Sequence, residues 1–316
     1  MPTNKKWKGH LAVLLANVFF GLNIPVMKAL IPTAFTDWGY IMIRSVVALV
    51  TFWVLQAFIP REVVQRRHVW LLILGAFLGF VFSQYMSVVS IQYTSPVYFS
   101  LIVALSPIAT MLMAAIFLRE PITTHKTLGA LMGVGGAVLL VAQVIGQPSG
   151  SNDLLGILAA FIGCIAFSGY LIIARHLSAF YSATTQMKWI FLIAALMILP
   201  FVWSDLLTQP LLTQPQTWQT WGLVAYVLIF PTSVAYFLFP LSMKYIRATT
   251  VSVYMNLQPI IASIAAIAIG QDRLTWDKPL AAILVLWGAY IVSQSKSRQD
   301  EENVVLSASD DNEKRP

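Results

Sequence analysis

Charge is what this sequence lacks most. Only 10% of its 316 residues are Asp, Glu, Lys or Arg, where a soluble domain carries roughly 25%. The 20 basic and 13 acidic side chains are too few to give a globule of this length a water-facing surface, and they cluster between long uncharged runs. That excludes a soluble enzyme and a disordered chain. Cys164 is the only cysteine, which excludes an intramolecular disulfide, a secreted disulfide scaffold and a cysteine-based metal site. Within Gly163-Cys164-Ile165-Ala166 the thiol reads as a small packing residue. The four histidines, His10, His68, His125 and His176, are dispersed in sequence with no i, i+4 pair. No phosphate-binding loop, zinc spacing or nucleophile elbow occurs, and Gly133-Val134-Gly135-Gly136 lies inside an apolar run, where it cannot be a nucleotide loop. No cofactor and no metal are expected.

What the chain has in excess is hydrophobicity, at 58% of its residues. A helix needs about 20 apolar residues to cross a bilayer core. Runs of that kind, broken at charge clusters, predict ten spans near residues 10–31, 38–59, 69–91, 94–118, 127–145, 154–174, 184–203, 221–243, 248–270 and 279–295. The expected fold class is an all-α membrane protein with the lipid bilayer as its solvent. Connections are short except Ser204–Thr220 and the tail, which leaves no room for a second soluble domain.

Lysines and arginines set the orientation, because they accumulate on the cytoplasmic side. With the N-terminus inside, that side receives 15 basic residues, from Lys5, Lys6 and Lys8 to Lys314 and Arg315, against Arg273 and Lys278 outside. Lys28, Arg44 and Lys188 fall within spans. Both termini are therefore expected in the cytoplasm. The net charge of +7 is a cue for nucleic acid in other settings, but here the basic residues sit at span ends, so no nucleic-acid partner is expected. Lys5, Lys6 and Lys8 ahead of an apolar run imitate a signal peptide; the run is too long for one and reads as an uncleaved first helix.

The chain also resembles itself. A shift of 152 residues places Tyr93 on Tyr245, Ser100 on Ser252, Leu105 on Leu257, Pro107 on Pro259, Glu120 on Asp272 and Gly136 on Gly288. Near the start of each half a shift of 147 places Gly9 on Gly156, Phe20 on Phe167 and Lys28 on Arg175. The organisation expected is a cytoplasmic N-terminus (1–9), a first five-helix repeat (10–145), a linker (146–153), a second five-helix repeat (154–295) and a disordered cytoplasmic tail (296–316). An odd number of spans per copy inverts the second repeat relative to the first, an arrangement suited to alternating access.

The duplication and the run from Leu105-Ser106-Pro107 through Leu118-Arg119-Glu120-Pro121-Ile122-Thr123 resemble the drug/metabolite transporter superfamily, and within it the EamA family of permeases. Arg44, in Met42-Ile43-Arg44-Ser45, looks like the arginine often found in that family's second helix. The resemblance spans roughly residues 10–295 and implies ten helices around a central cavity, with transport of small organic solutes. Two departures stand out: Phe20-Gly21 replaces the frequent Trp-Gly of the first helix, and Asp272 replaces a glutamate in the second copy.

Polar groups retained in a bilayer core tend to face the protein interior. The charged candidates for solute contact are Arg44 and Lys28. Lys28 also suits snorkelling to the interface, as does Lys188, and Arg44 also suits bonding to backbone carbonyls. None of the 13 acidic residues falls in the middle of a span. A proton-driven exporter of cations commonly needs an embedded carboxylate, so a solute with an anionic group fits better. The uncharged candidates are Asn23, Gln84, Tyr98, Tyr170, Tyr254, Asn256 and Gln258, each of which, taken singly, suits interhelical packing or hydrogen bonding better than solute contact. Pro107 and Pro259 remove a backbone donor at related places and are expected to kink their helices, which centres the cavity on the fourth and ninth spans. Gly129, Gly133 and Gly136 offer a small face for close packing between halves or between two copies, so a homodimer is kept as an expectation.

The expected function is inner-membrane transport, with export favoured, of small organic metabolites such as amino acids. The alternatives are a nucleotide-sugar or phosphorylated-sugar carrier and, in a different class, a membrane-embedded enzyme.

Overall fold

The computed structural model describes residues 6–31, 33–94, 99, 102–103, 105–142, 152–268 and 276–294. Every regular element among them is helical: α1 (Lys6–Leu30), α2 (Asp37–Ala57), α3 (Arg66–Tyr93), α4 (Ser106–Phe117), α5 (Thr124–Ala142), α6 (Asp153–Leu177), α7 (Ala183–Val202), α8 (Trp218–Met243), α9 (Ala248–Tyr254), α10 (Leu257–Ala268) and α11 (Asp277–Gln294). A single helical turn, Pro210–Thr213, interrupts the long connection before α8. Among the described residues six helices, α1, α2, α3, α6, α7 and α8, are long and apolar enough to cross a membrane. The chain is a multi-pass membrane protein.

Hydroxyl and amide side chains start several of these helices by accepting from the first-turn N–H groups that have no intrahelical partner. Thr36 accepts from Gly39, Asn152 from Leu155, Ser182 from Thr185 and Thr217 from Thr220. The fourth and ninth predicted spans are not single helices. Leu105 precedes α4 in a turn closed by its N–H on the Ile102 carbonyl, and Met255 and Asn256 separate α9 from α10. A proline two to four residues further on can neither donate to the preceding turn nor clear its carbonyl. The Pro259 side chain lies outside the described residues.

α3 and α8 each carry a π-helical segment, at Phe77–Phe82 and Leu228–Val234. Shifting 77–82 by the 152 residues of the sequence repeat gives 229–234, inside the second segment. Pro231 sits within it, and Ser233 Oγ donates to the Leu228 carbonyl five residues back, at 2.9 Å.

Polarity runs inside out. Trp70, Ile116, Phe201, Trp218 and Ile283 point outward, while Asn17, Arg44, Ser83, Thr110 and Asn256 are buried. That distribution suits hydrocarbon outside and polar contacts within. Helix pairing is reciprocal: α3 packs on α6 as α8 packs on α1, and α4 packs on α6 as α10 packs on α1, while α2 meets α7 and α5 meets α11. The last pair is the tightest. A Cβ at Gly129 would stand 2.5 Å from the Gly288 carbonyl oxygen, and one at Gly288 would stand 2.5 Å from the Gly129 carbonyl oxygen. The small faces therefore join helices of one chain.

Candidate functional site

The helices converge on a cavity of about 100 Å³. Its wall is largely apolar, with Phe20, Ile24, Met27, Phe99, Phe167, Phe239 and Met255 supplying most of it. Asn23, Arg44, Ser83, Gln84, Ser87, Ser106, Tyr236 and Gln258 add polar groups, and Cys164 also lines it.

Arg44 is the one charged residue on this wall among the described residues, and it is only 4% exposed. α2 places it two turns inside the Thr36 cap, with Tyr40 one turn away on the same face. Its Nε donates to Thr232 Oγ1 at 2.8 Å, Nη1 to Gln84 Oε1 at 2.9 Å and Nη2 to the Tyr236 hydroxyl at 3.4 Å. The guanidinium carbon lies 5.3 Å from the Tyr40 ring centre and 5.5 Å from that of Tyr236. Negative ring faces hold a cation there, and Tyr40 is fixed in turn by donating to Asn23 Oδ1 at 3.2 Å. A guanidinium has five N–H donors, so the described residues engage three and leave two.

All of these partners are neutral. The one ion pair among the described residues is Lys126 with Glu120, at 2.8 Å. An unpaired buried charge costs several kcal/mol, which neutral hydrogen bonds and ring faces offset only in part. Arg44 is thus a preorganised cation with spare donors on a cavity wall. It can receive an oxyanion.

The other sequence candidates divide. Asn23, Gln84 and Gln258 share the cavity with Arg44. Gln258 Nε2 donates to Asn17 Oδ1 at 2.9 Å, and Asn17 Nδ2 donates to the Val13 carbonyl at 2.8 Å, so this pair ties α10 to α1 beside the cavity. Tyr254 lies off the wall, its hydroxyl 3.0 Å from His10 Nδ1. Tyr170 and Asn256 are fully buried off the wall, and the Tyr170 hydroxyl and both Asn256 amide atoms have no hydrogen-bond partner among the described residues. Pro107 is buried in the first turn of α4. Tyr98 lies outside the described residues, as does the side chain of Lys28. Lys188 is held between the rings of Trp53 and Trp189, at 4.8 and 5.3 Å from their centres.

Sequence reasoning missed Tyr40, Thr232 and Tyr236, which form the guanidinium's seat. Their signal was spacing: Tyr40 with Arg44, and Thr232 with Tyr236, stand four residues apart and so share a helix face. Among the described residues no three His, Cys, Asp or Glu side chains converge.

Known proteins share this architecture. A solved crystal structure superposes with a TM-score of 0.72 over 93% of this chain and 99% of its own, at 17% identity, which shows the fold. Two relatives from Bacillus subtilis are uncharacterized transporters. YyaM is 22% identical over 90% of this chain and 93% of its own, and YetK is 22% identical over 94% of this chain and 90% of its own. An uncharacterized transporter of Archaeoglobus fulgidus is 25% identical over 62% of this chain and 67% of its own. The profile of the EamA-like transporter family matches residues 7–142 and again 154–294, taking in every helix that builds the Arg44 cavity. The chain belongs to the EamA-like transporter family.

Proposed function

We propose that this protein is a transporter, not an enzyme, that moves small carboxylated organic metabolites across the bacterial-type inner membrane by alternating access. Amino acids and their relatives are the solute group considered first, and export is the favoured direction. The observation that carries this reading is Arg44: a buried guanidinium on a cavity wall, seated on neutral groups, with two donors that no described residue engages. At 4 Å and an effective dielectric of about 20, a solute carboxylate would gain about 4 kcal/mol from that charge.

The ten spans form two inverted five-helix repeats with both termini in the cytoplasm. Support comes from the bias of basic residues, the reciprocal helix pairing and the π-helical segments at repeat-related places. In that orientation the cavity belongs to the outer half. The inner ends are joined by His10 with Tyr254, by Arg175 donating to the Met243 carbonyl and by Ser178 Oγ donating to the Pro240 carbonyl.

The test is flux into proteoliposomes of purified protein, screened with radiolabelled carboxylated metabolites with and without a pH gradient. Saturable flux that falls in Arg44→Ala supports the reading. Equal flux in that variant at equal protein level overturns Arg44 as the anion site, and no flux of any carboxylated solute overturns the substrate class.

A further inference from the structure

Among the described residues Arg44 stands without a counter-charge on the wall it shares. No described Asp, Glu, Lys or His side chain joins the cavity lining. The acceptors beside the guanidinium are neutral, and each already accepts one hydrogen bond: Gln84 Oε1 and Thr232 Oγ1 from Arg44 itself, and Asn23 Oδ1 from Tyr40. Beyond them the wall turns to Phe20, Ile24, Met27, Phe167 and Phe239. This surface can take an anion on one side and an apolar body on the other.

An α-amino acid strains that arrangement. Its ammonium is two bonds from the carboxylate, so docking the carboxylate on Arg44 brings a second cation within a few Å of the first. Coulomb energy falls only as the inverse of distance, so the repulsion cancels most of the attraction. The ammonium must also leave water, which is costly for a charge that meets no carboxylate. A monoanion of the same skeleton meets neither penalty and neutralises Arg44.

We propose that the cavity selects apolar monocarboxylates that carry no ammonium, such as aryl or branched 2-hydroxy acids, 2-oxo acids and alkanoates, over the amino acids of the same skeleton. This rests on the reading of Arg44 as a carboxylate site in a transporter, and within that reading it puts ammonium-free acids ahead of amino acids as the solute group.

Three probes share one aromatic body: 3-phenyllactate, phenylalanine and phenethylamine. The first two differ only by hydroxyl against ammonium. Titration calorimetry on the purified full chain at neutral pH gives their affinities. The same titrations on Arg44→Gln report whether they bind at the guanidinium. The expected result is a Kd for phenyllactate at least about tenfold below that for phenylalanine. Phenethylamine should not bind, and the preference should vanish in Arg44→Gln. The comparison on the wild-type chain needs no variant to fold. Phenylalanine binding as tightly as phenyllactate, and weakened by Arg44→Gln, overturns this inference while leaving Arg44 as a carboxylate site. Binding of neither acid overturns it together with the reading beneath it.

Discussion

Arg44→Gln should separate solute binding from folding. The substitution removes three hydrogen bonds, to Thr232, Gln84 and Tyr236, each contributing about 1 kcal/mol. It also removes a buried cation that no described carboxylate compensates, and that burial costs several kcal/mol. The two terms oppose, so stability should change by no more than about 1–2 kcal/mol in either direction. For a chain of this size that is a shift in Tm below roughly 5 °C. Solute binding has no such offset. Truncating one member of a buried, hydrogen-bonded charge pair costs about 2–5 kcal/mol, and about 1.4 kcal/mol is a factor of ten. Affinity for a carboxylated solute should therefore fall about 30-fold or more. Arg44→Lys keeps the charge and loses the planar fork, so it should fall in between. Calorimetry gives the affinity, and tryptophan fluorescence on heating gives Tm. An affinity within about threefold of wild type at unchanged Tm would refute the placement of Arg44 in the site. A Tm drop beyond about 10 °C would show that its hydrogen bonds outweigh its burial cost.

Other substitutions test the frame around it. Gly129→Ala and Gly288→Ala each push a methyl group into the other glycine's carbonyl, 2.5 Å away, and should each destabilise by about 1–3 kcal/mol. The double variant should lose less than the sum in melting experiments, because both act on one contact. Asn17→Leu strands the buried Nε2 of Gln258 and should cost about 1–3 kcal/mol; a Tm equal to wild type would argue against the pair. Glu62, in the α2–α3 connection, accepts from the Ser182 N–H at 2.8 Å and from its hydroxyl at 2.9 Å. Burial alone would raise its pKa, but these bonds, the Thr185 hydroxyl and the Lys244 charge outweigh it and hold the carboxyl below its ordinary 4.5. Its stabilising contribution is therefore complete above pH 4.5 and disappears as pH falls through the lower folded value. The gap in Tm between wild type and Glu62→Gln should be constant down to about pH 5 and close below it.

Arg44 was legible in the sequence because a lone charge in an apolar run stands out against its neighbours. Its seat was not. Thr232 and Tyr236 lie 188 and 192 residues away, and nothing in an apolar run says which distant hydroxyl will meet which cation. Paired prolines marked the fourth and ninth spans as irregular, yet a run read for hydropathy looks unbroken across Met255 and Asn256, since composition carries no hydrogen bonds. The small faces of α5 and α11 were visible as glycine spacing. Whether they meet inside one chain or between two was not, because the same spacing serves both. Tyr170 and Asn256 show the limit of residue type as a guide, since both are polar, deep and off the cavity wall.

The π-helical segment of α3 has a consequence for phase. An α-helix advances about 100° per residue, and a wider turn holds an extra residue without adding a full turn of direction. The side chains after Phe82 are therefore rotated relative to where the first half of α3 would have aimed them. Ser83, Gln84 and Ser87 face the cavity only because of that slip. Deleting one residue from Phe77–Phe82 would leave the composition, the hydropathy and the length of the span almost untouched. It would also turn the partner of Arg44 away from the guanidinium, so in this helix one residue of winding acts as a dial for what the cavity sees.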